Sequence, residues 1–243
     1  SSDLPDGRWF WCTRTRFSQI STRLMSDDGS GGRWWSPRLA LHAAALAWGS
    51  QHVIIKGVVV DGAAPSLTNA VRFFVAAAIS LPLAPQLCRP AADGEARSVW
   101  RAGAELGLWM FLGFALQAVG LQYTTASRSA FLLYLNVKLV PVLGFFCCGR
   151  HVPWKAWASA AIALAGTMLI AYDGSPPNVG DAWSLAAAVA SALFILRLED
   201  AASTTMLGAP ALNAATPATS ALLCVAWALV EPPGPLVGAA PPA

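Results

Sequence analysis

A series of apolar runs, each close to the length of a bilayer crossing, constrains this chain more than any other feature. The hydrocarbon core of a bilayer requires about 20 consecutive apolar residues from a crossing helix. Seven runs of that order are present, at roughly 39–60, 66–88, 104–122, 126–148, 154–172, 181–197 and 208–230. They are too long for strands and rich in Ala, Leu and Gly, so the pattern predicts helices. Lipid supplies no hydrogen-bond partner, and a helix satisfies its own backbone. Only 12% of residues are charged, against about 25% in an ordinary soluble domain. The reading is an all-α integral membrane protein of about seven transmembrane helices, which excludes a soluble enzyme.

Aromatic residues stand near many run ends, among them Trp100, Tyr123, Trp154, Tyr172 and Trp183. Interfacial belts favour such residues there. Positive charge sorts to one side. Arg8, Arg14, Arg16, Arg23, Arg33 and Arg38 precede the first run. Arg89, Arg97 and Arg101 lie between the second and third, Arg150 and Lys155 between the fourth and fifth, and Arg197 ends the sixth. The opposite loops carry Asp61, Asp173, Asp181 and Glu231, with Arg128 as their cation. The positive-inside rule then puts the N-terminus on the cytoplasmic or stromal side. The sequence does not say which membrane this is; a plastid is one candidate.

Residues 1–38 read as an Arg- and Trp-rich tail on the inner side, suited to anionic headgroups or to a docking partner. Residues 231–243 form a Pro/Gly/Ala tail. Cys12, Cys88, Cys147, Cys148 and Cys224 lack metal-like spacing and read as small apolar filler. No nucleotide-binding loop, catalytic triad or zinc motif is present, and nothing points to nucleic acid.

An internal repeat is visible. Ala64-Pro65-Ser66-Leu67 opens the second run and Ala209-Pro210-Ala211-Leu212 opens the seventh. Ala43-Ala44-Ala45 and Ala186-Ala187-Ala188 lie at nearly the same offset. With five helices per repeat, the second copy is inverted in the membrane. Inverted repeats are typical of secondary transporters.

Several stretches carry a resemblance. They are Trp48-Gly49-Ser50 through Lys56, Asn69-Ala70-Val71-Arg72-Phe73, and Gly113-Phe114-Ala115-Leu116-Gln117 through the long piece Leu121 to Phe131. Val140-Pro141-Val142-Leu143, Ala165-Gly166-Thr167 and Gly180-Asp181 follow in order. Over roughly 48–200 the chain resembles the EamA-domain family of the drug/metabolite transporter superfamily. The resemblance implies two inverted five-helix repeats around a central cavity and carriage of small metabolites. It implies one complete repeat at 39–172 and the first two helices of a second, inverted repeat at 173–230. The counterparts of helices 3, 4 and 5 of that second repeat are absent from this sequence. A protein partner or a second copy of the chain is expected to cover the incomplete repeat.

Charges at membrane depth are costly and mark function or pairing. Lys138 stands about 12 residues from either end of the fourth run, roughly 18 Å along a helix. Pro141, one turn later, is expected to kink that helix and free a carbonyl. Lys138, Arg72, Lys56, Asn136 and Gln117 are the candidate substrate-binding residues, giving the cavity a positive potential for an anionic metabolite. For each cation a plainer role competes. Lys56 is near a helix end and can snorkel, Arg72 can brace backbone carbonyls or Asp61, and Lys138 can sit in a buried pair. His42 and His52 in the first run are candidate ligands of a tetrapyrrole, or hydrogen-bonded histidines of the bundle. Gly103-x-x-x-Gly107, Ser159-x-x-x-Ala163-x-x-x-Thr167 and Ser184-x-x-x-Ala188-x-x-x-Ala192 read as close-packing faces.

Two functions follow from this reading. The first is a secondary carrier of a small metabolite in the lipid bilayer, with no cofactor and no metal. The second is a non-transporting accessory subunit of a larger membrane complex, such as a pigment–protein photosynthetic assembly holding chlorophyll-type pigment and lipid.

Overall fold

The computed structural model describes residues 35–60, 64–84, 93–149, 153–171, 176–204 and 208–231. These residues are all-helical, with no strand among them. The helices are α1 (Trp35–Val60), α2 (Pro65–Ser80), α3 (Asp93–Tyr123), α4 (Ala126–Leu133), α5 (Asn136–Cys148), α6 (Trp154–Ala171), α7 (Val179–Thr204) and α8 (Gly208–Val230). Residues 1–34 of the predicted inner-side tail and the loop residue Asp61 lie outside the described residues, while residues 35–38 of that tail open α1 instead.

Among the described residues, four stretches are long and apolar enough to cross a membrane: Arg97–Tyr123, Ala126–Phe146, Val179–Ser203 and Pro210–Val230. Two helices outrun their apolar runs. α3 begins at Asp93 and α7 continues to Thr204, because their polar turns stay helical beyond the apolar stretch. α2 is shorter than its run. It ends at Ser80 and passes into a turn through Leu81-Pro82-Leu83, and Pro85 disfavours helix at the residue before it.

The fourth run, expected as one kinked helix, is interrupted between α4 and α5 at Tyr134 and Leu135. The break precedes Pro141. Proline cannot donate to Val137 and its ring crowds that carbonyl, and the turn before it winds tighter. The Leu135 amide bonds back to Leu132 at 3.1 Å and the Lys138 amide to Leu135 at 2.9 Å, both three residues back, as in a 3₁₀ turn.

α3 is the central helix. It runs antiparallel to α7, since Glu105 near its start pairs with Arg197 near the end of α7, while Thr124 just after it bonds to Asp181. It runs parallel to α8. Gly103 faces Ala215 and Gly107 faces Thr219 so closely that a Cβ on either glycine would come within 2.6 Å of the neighbour. The predicted Gly103/Gly107 face is therefore a contact between backbones, as small residues permit. Ser184, Ala188 and Ala192 form a second such face and are wholly buried. On α6 the predicted face is buried only at Thr167; Ser159 is exposed. α2 and α8 are antiparallel. The Ser66 amide donates to Glu231 at 3.3 Å at one end, and Ala84 packs with Ala211 and Leu212 at the other.

Local chemistry fixes the ends. Asn178 and Asp181 form a reciprocal capping box at the start of α7, with backbone-to-side-chain bonds of 2.9 and 3.1 Å, which satisfies two amides the helix cannot. Thr125 caps α4 by accepting from the Arg128 amide at 3.3 Å. Large apolar side chains such as Ile162, Leu169, Leu222 and Leu229 are exposed on the outside of the bundle, as a lipid-facing surface requires.

Candidate functional site

A cavity of about 1080 Å³ lies among α1, α2, α3, α7 and α8. Its lining comes from the early part of α1 (Ala44 to Gln51), the later part of α2 (Arg72 to Ser80), the middle of α3 (Met110, Phe114), the late part of α7 (Phe194 to Ala202) and the first turns of α8. Given the helix directions, the lining runs from the middle of the bundle, at Gln51, Arg72 and Phe114, toward the end containing the Arg197–Glu105 pair. Toward the opposite end α3 and α7 meet directly. There Gly120 and Gly180 touch, and a Cβ on Gly180 would lie 2.7 Å from the Gly120 carbonyl. Asp181 also accepts from Thr124 at 3.0 Å and pairs with Arg128 at 3.0 Å.

Arg72 is the only charged side chain among the described residues that line the cavity. Its Nη2 donates to Gln51 Oε1 at 2.6 Å. Its guanidinium carbon sits 4.1 Å from the Phe114 ring centroid and 5.7 Å from that of Phe73, a cation–π stack that steadies the head group where water is scarce. Phe73 and Phe114 meet edge to face at 5.2 Å. Arg72 Nη1 and Gln51 Nε2 are buried and have no hydrogen-bond partner among the described residues. Arg72 therefore braces a side-chain amide and an aromatic ring rather than backbone carbonyls.

The other predicted residues fall elsewhere. Lys56 Nζ donates to the carbonyls of Leu121 and Thr124 at 2.6 and 3.0 Å. It closes the C-terminal end of α3, where a cation complements the helix dipole. Lys138 lies at the α4–α5 break. Its Nζ reaches the Tyr134 carbonyl at 3.5 Å and Thr167 on α6 at 3.4 Å. The backbone amide of Lys138 has turned to Leu135, so its side chain serves the carbonyl that this amide would otherwise bond. Gln117 is buried in α3 and Asn136 is half-buried at the start of α5; neither lines the cavity. Of the two candidate tetrapyrrole ligands, His42 is exposed and His52 buried. Among the described residues no group of three or more His, Cys, Asp or Glu is placed to hold a metal ion.

The sequence reading did not single out Gln51, or Pro217 and Asn213 on α8. Pro217 lies inside α8 and cannot donate to the Asn213 carbonyl, and both residues line the cavity. A proline within a membrane helix was the available signal, the same one noted at Pro141.

A family model described as the EamA-like transporter family matches residues 36–172. An uncharacterized transporter of Archaeoglobus fulgidus is 30% identical over 146 residues, which covers 59% of this chain and 42% of the relative. The uncharacterized transporter YetK of Bacillus subtilis is 27% identical over 163 residues, covering 63% of this chain and 49% of the relative. The chain thus spans less than half the length of these curated relatives. No solved structure matches.

Proposed function

The chain belongs to the EamA-like transporter family, an integral, multi-pass membrane family, and from that premise we propose that it carries a small anionic metabolite through the cavity at Arg72. The observation that supports this most directly is the charge of the lining: among the described residues a single guanidinium, that of Arg72, lines a cavity within the span of the helices. A cation at that depth is expensive unless something gains from it. Gln51 and Phe114 hold it in place without neutralising it. Its charge remains available to a ligand.

Among the described residues the lining runs from mid-helix toward the end away from Asp181; at the Asp181 end α3 and α7 meet directly. By the distribution of Lys and Arg, the end away from Asp181 faces the cytoplasmic or stromal side. On this reading the cavity opens inward. The two polar clusters at the ends of α3 and α7 are suited to holding one end shut while the other admits ligand.

The experiment is uptake of labelled organic anions into liposomes carrying the purified full chain. Arg72→Met is expected to abolish saturable uptake while the protein still elutes as a folded species with an unchanged melting temperature. Retained uptake in the Arg72→Met protein overturns the reading.

A further inference from the structure

The donor geometry around Arg72 points to the class of anion: we propose that the cavity takes a monocarboxylate with an apolar body, and discriminates against phosphorylated or doubly charged metabolites. The inference rests on the carrier reading above and adds the substrate class to it.

The argument begins with which atoms are already used. A guanidinium only donates, so the Gln51 atom facing Arg72 Nη2 at 2.6 Å must be the amide oxygen. That fixes the Gln51 amide, and its Nε2 is left on the other branch. Gln51 Nε2 and Arg72 Nη1 are buried and have no partner among the described residues. They belong to two side chains that both line the cavity and are joined to each other by the Nη2–Oε1 hydrogen bond. The pair matches the two oxygens of one carboxylate. The Phe114 ring covers a face of the guanidinium, which leaves the donor edge as the way in for an acceptor.

Charge balance narrows the class further. Arg72 carries the one charge among the described lining residues. A monoanion makes the occupied site neutral. A phosphate dianion leaves one negative charge unpaired between apolar helices, which is strongly unfavourable.

The remaining wall specifies the body of the ligand. Trp48, Phe73, Met110, Phe194 and Leu212 contribute apolar surface around the carboxylate seat. Ser80, Asn213 and Thr216 add a few polar groups to this wall, too few to pair the several hydroxyls of a sugar against these apolar side chains. A hydrocarbon or aromatic body fits them, as is usual for a site with few polar anchors.

The test uses purified full chain in nanodiscs and equilibrium binding of radiolabelled 3-phenylpropionate. Phenyl phosphate and the uncharged 3-phenylpropanol serve as competitors. Saturable binding is expected, with both competitors at least tenfold weaker than unlabelled 3-phenylpropionate. Gln51→Leu and Arg72→Gln are each expected to weaken binding tenfold or more at unchanged melting temperature. Arg72→Lys is expected not to rescue, since an ammonium lacks the planar fork that holds Gln51 and a carboxylate together. Phenyl phosphate competing as well as 3-phenylpropionate overturns the proposed class but leaves the carrier reading intact if uptake still depends on Arg72. Absence of any carboxylate binding by the folded protein also overturns the class. Arg72-independent uptake overturns the carrier reading itself.

Discussion

Arg197 on α7 grips Glu105 on α3 through two nitrogens, Nε to one carboxylate oxygen and Nη2 to the other at 2.8 Å. Such a two-pronged pair fixes direction as well as distance. It ties the start of the central helix to the end of its antiparallel neighbour, and Asp200 extends it at 3.5 Å. Glu105 is 36% exposed and Arg197 16%, so solvent moderates the pair. Glu105→Gln or Arg197→Gln is expected to cost about 1–2 kcal/mol. The exchange Glu105→Arg with Arg197→Glu is expected to recover part of that cost. Thermal unfolding of the four proteins in one detergent measures the coupling.

The opposite end of the same helix pair depends on space instead of charge. A Cβ on Gly180 would lie 2.7 Å from the Gly120 carbonyl and 2.9 Å from the Thr124 amide nitrogen. Both obstacles are backbone and cannot rotate away. Gly180→Ala is expected to destabilise the protein by about 1–3 kcal/mol, the usual range for overpacking. Gly166→Ala on α6 is the matched control, because no atom lies within 4 Å of its Cβ. That change is expected to be neutral or stabilising by up to about 1 kcal/mol, the helix-propensity difference. Equal losses in both variants would show that α3 and α7 do not meet at these glycines.

Lys138 and Lys56 are the cations whose work the sequence states least clearly. Lys138 bonds the Tyr134 carbonyl and Thr167 at the α4–α5 break, away from the cavity lining. Lys138→Met is therefore expected to keep most anion uptake and to lower the melting temperature slightly. Lys56→Met removes two carbonyl contacts at the end of α3 and is expected to cost about 1 kcal/mol of stability. Uptake lost in Lys138→Met, with Arg72→Met unaffected, would move the site to the α5–α6 side.

The helical nature of the chain was legible because it follows from composition along the chain. Apolar runs, proline positions and small-residue spacing are local properties, and the faces at Gly103/Gly107 and Ser184/Ala188/Ala192 appeared where that spacing placed them. The grouping of the cations was not legible in the same way. Arg72, Lys56 and Lys138 each occupy a long apolar helix, and sequence gives their depth but not their direction around the axis. Depth alone made Lys138 the leading candidate. Direction sets the two apart, since Arg72 points to Gln51 and Phe114 while Lys138 points to Thr167. Gln51 went unnoticed because a single glutamine in a membrane helix carries no pattern until its arginine is placed beside it.

The sidedness of the bundle supplies the last prediction. Ser203 near the end of α7 and Pro177 before its start are exposed, and they lie at opposite ends of one helix long enough to cross a membrane. The Arg-rich loops belong with the Ser203 end, since α7 closes with Arg197 there and α3 opens with Arg97 and Arg101 beside it. The rule that Lys and Arg stay on the side of synthesis puts Ser203 inside and Pro177 outside. In a background with the native cysteines replaced, Pro177→Cys is expected to react with an impermeant maleimide applied to intact cells. Ser203→Cys is expected to react only after the membrane is opened. The reverse pattern would invert the topology and turn the cavity at Arg72 toward the outside. Labelling of both sites in intact cells would mean that α7 does not span, and the bundle would need a different placement in the bilayer.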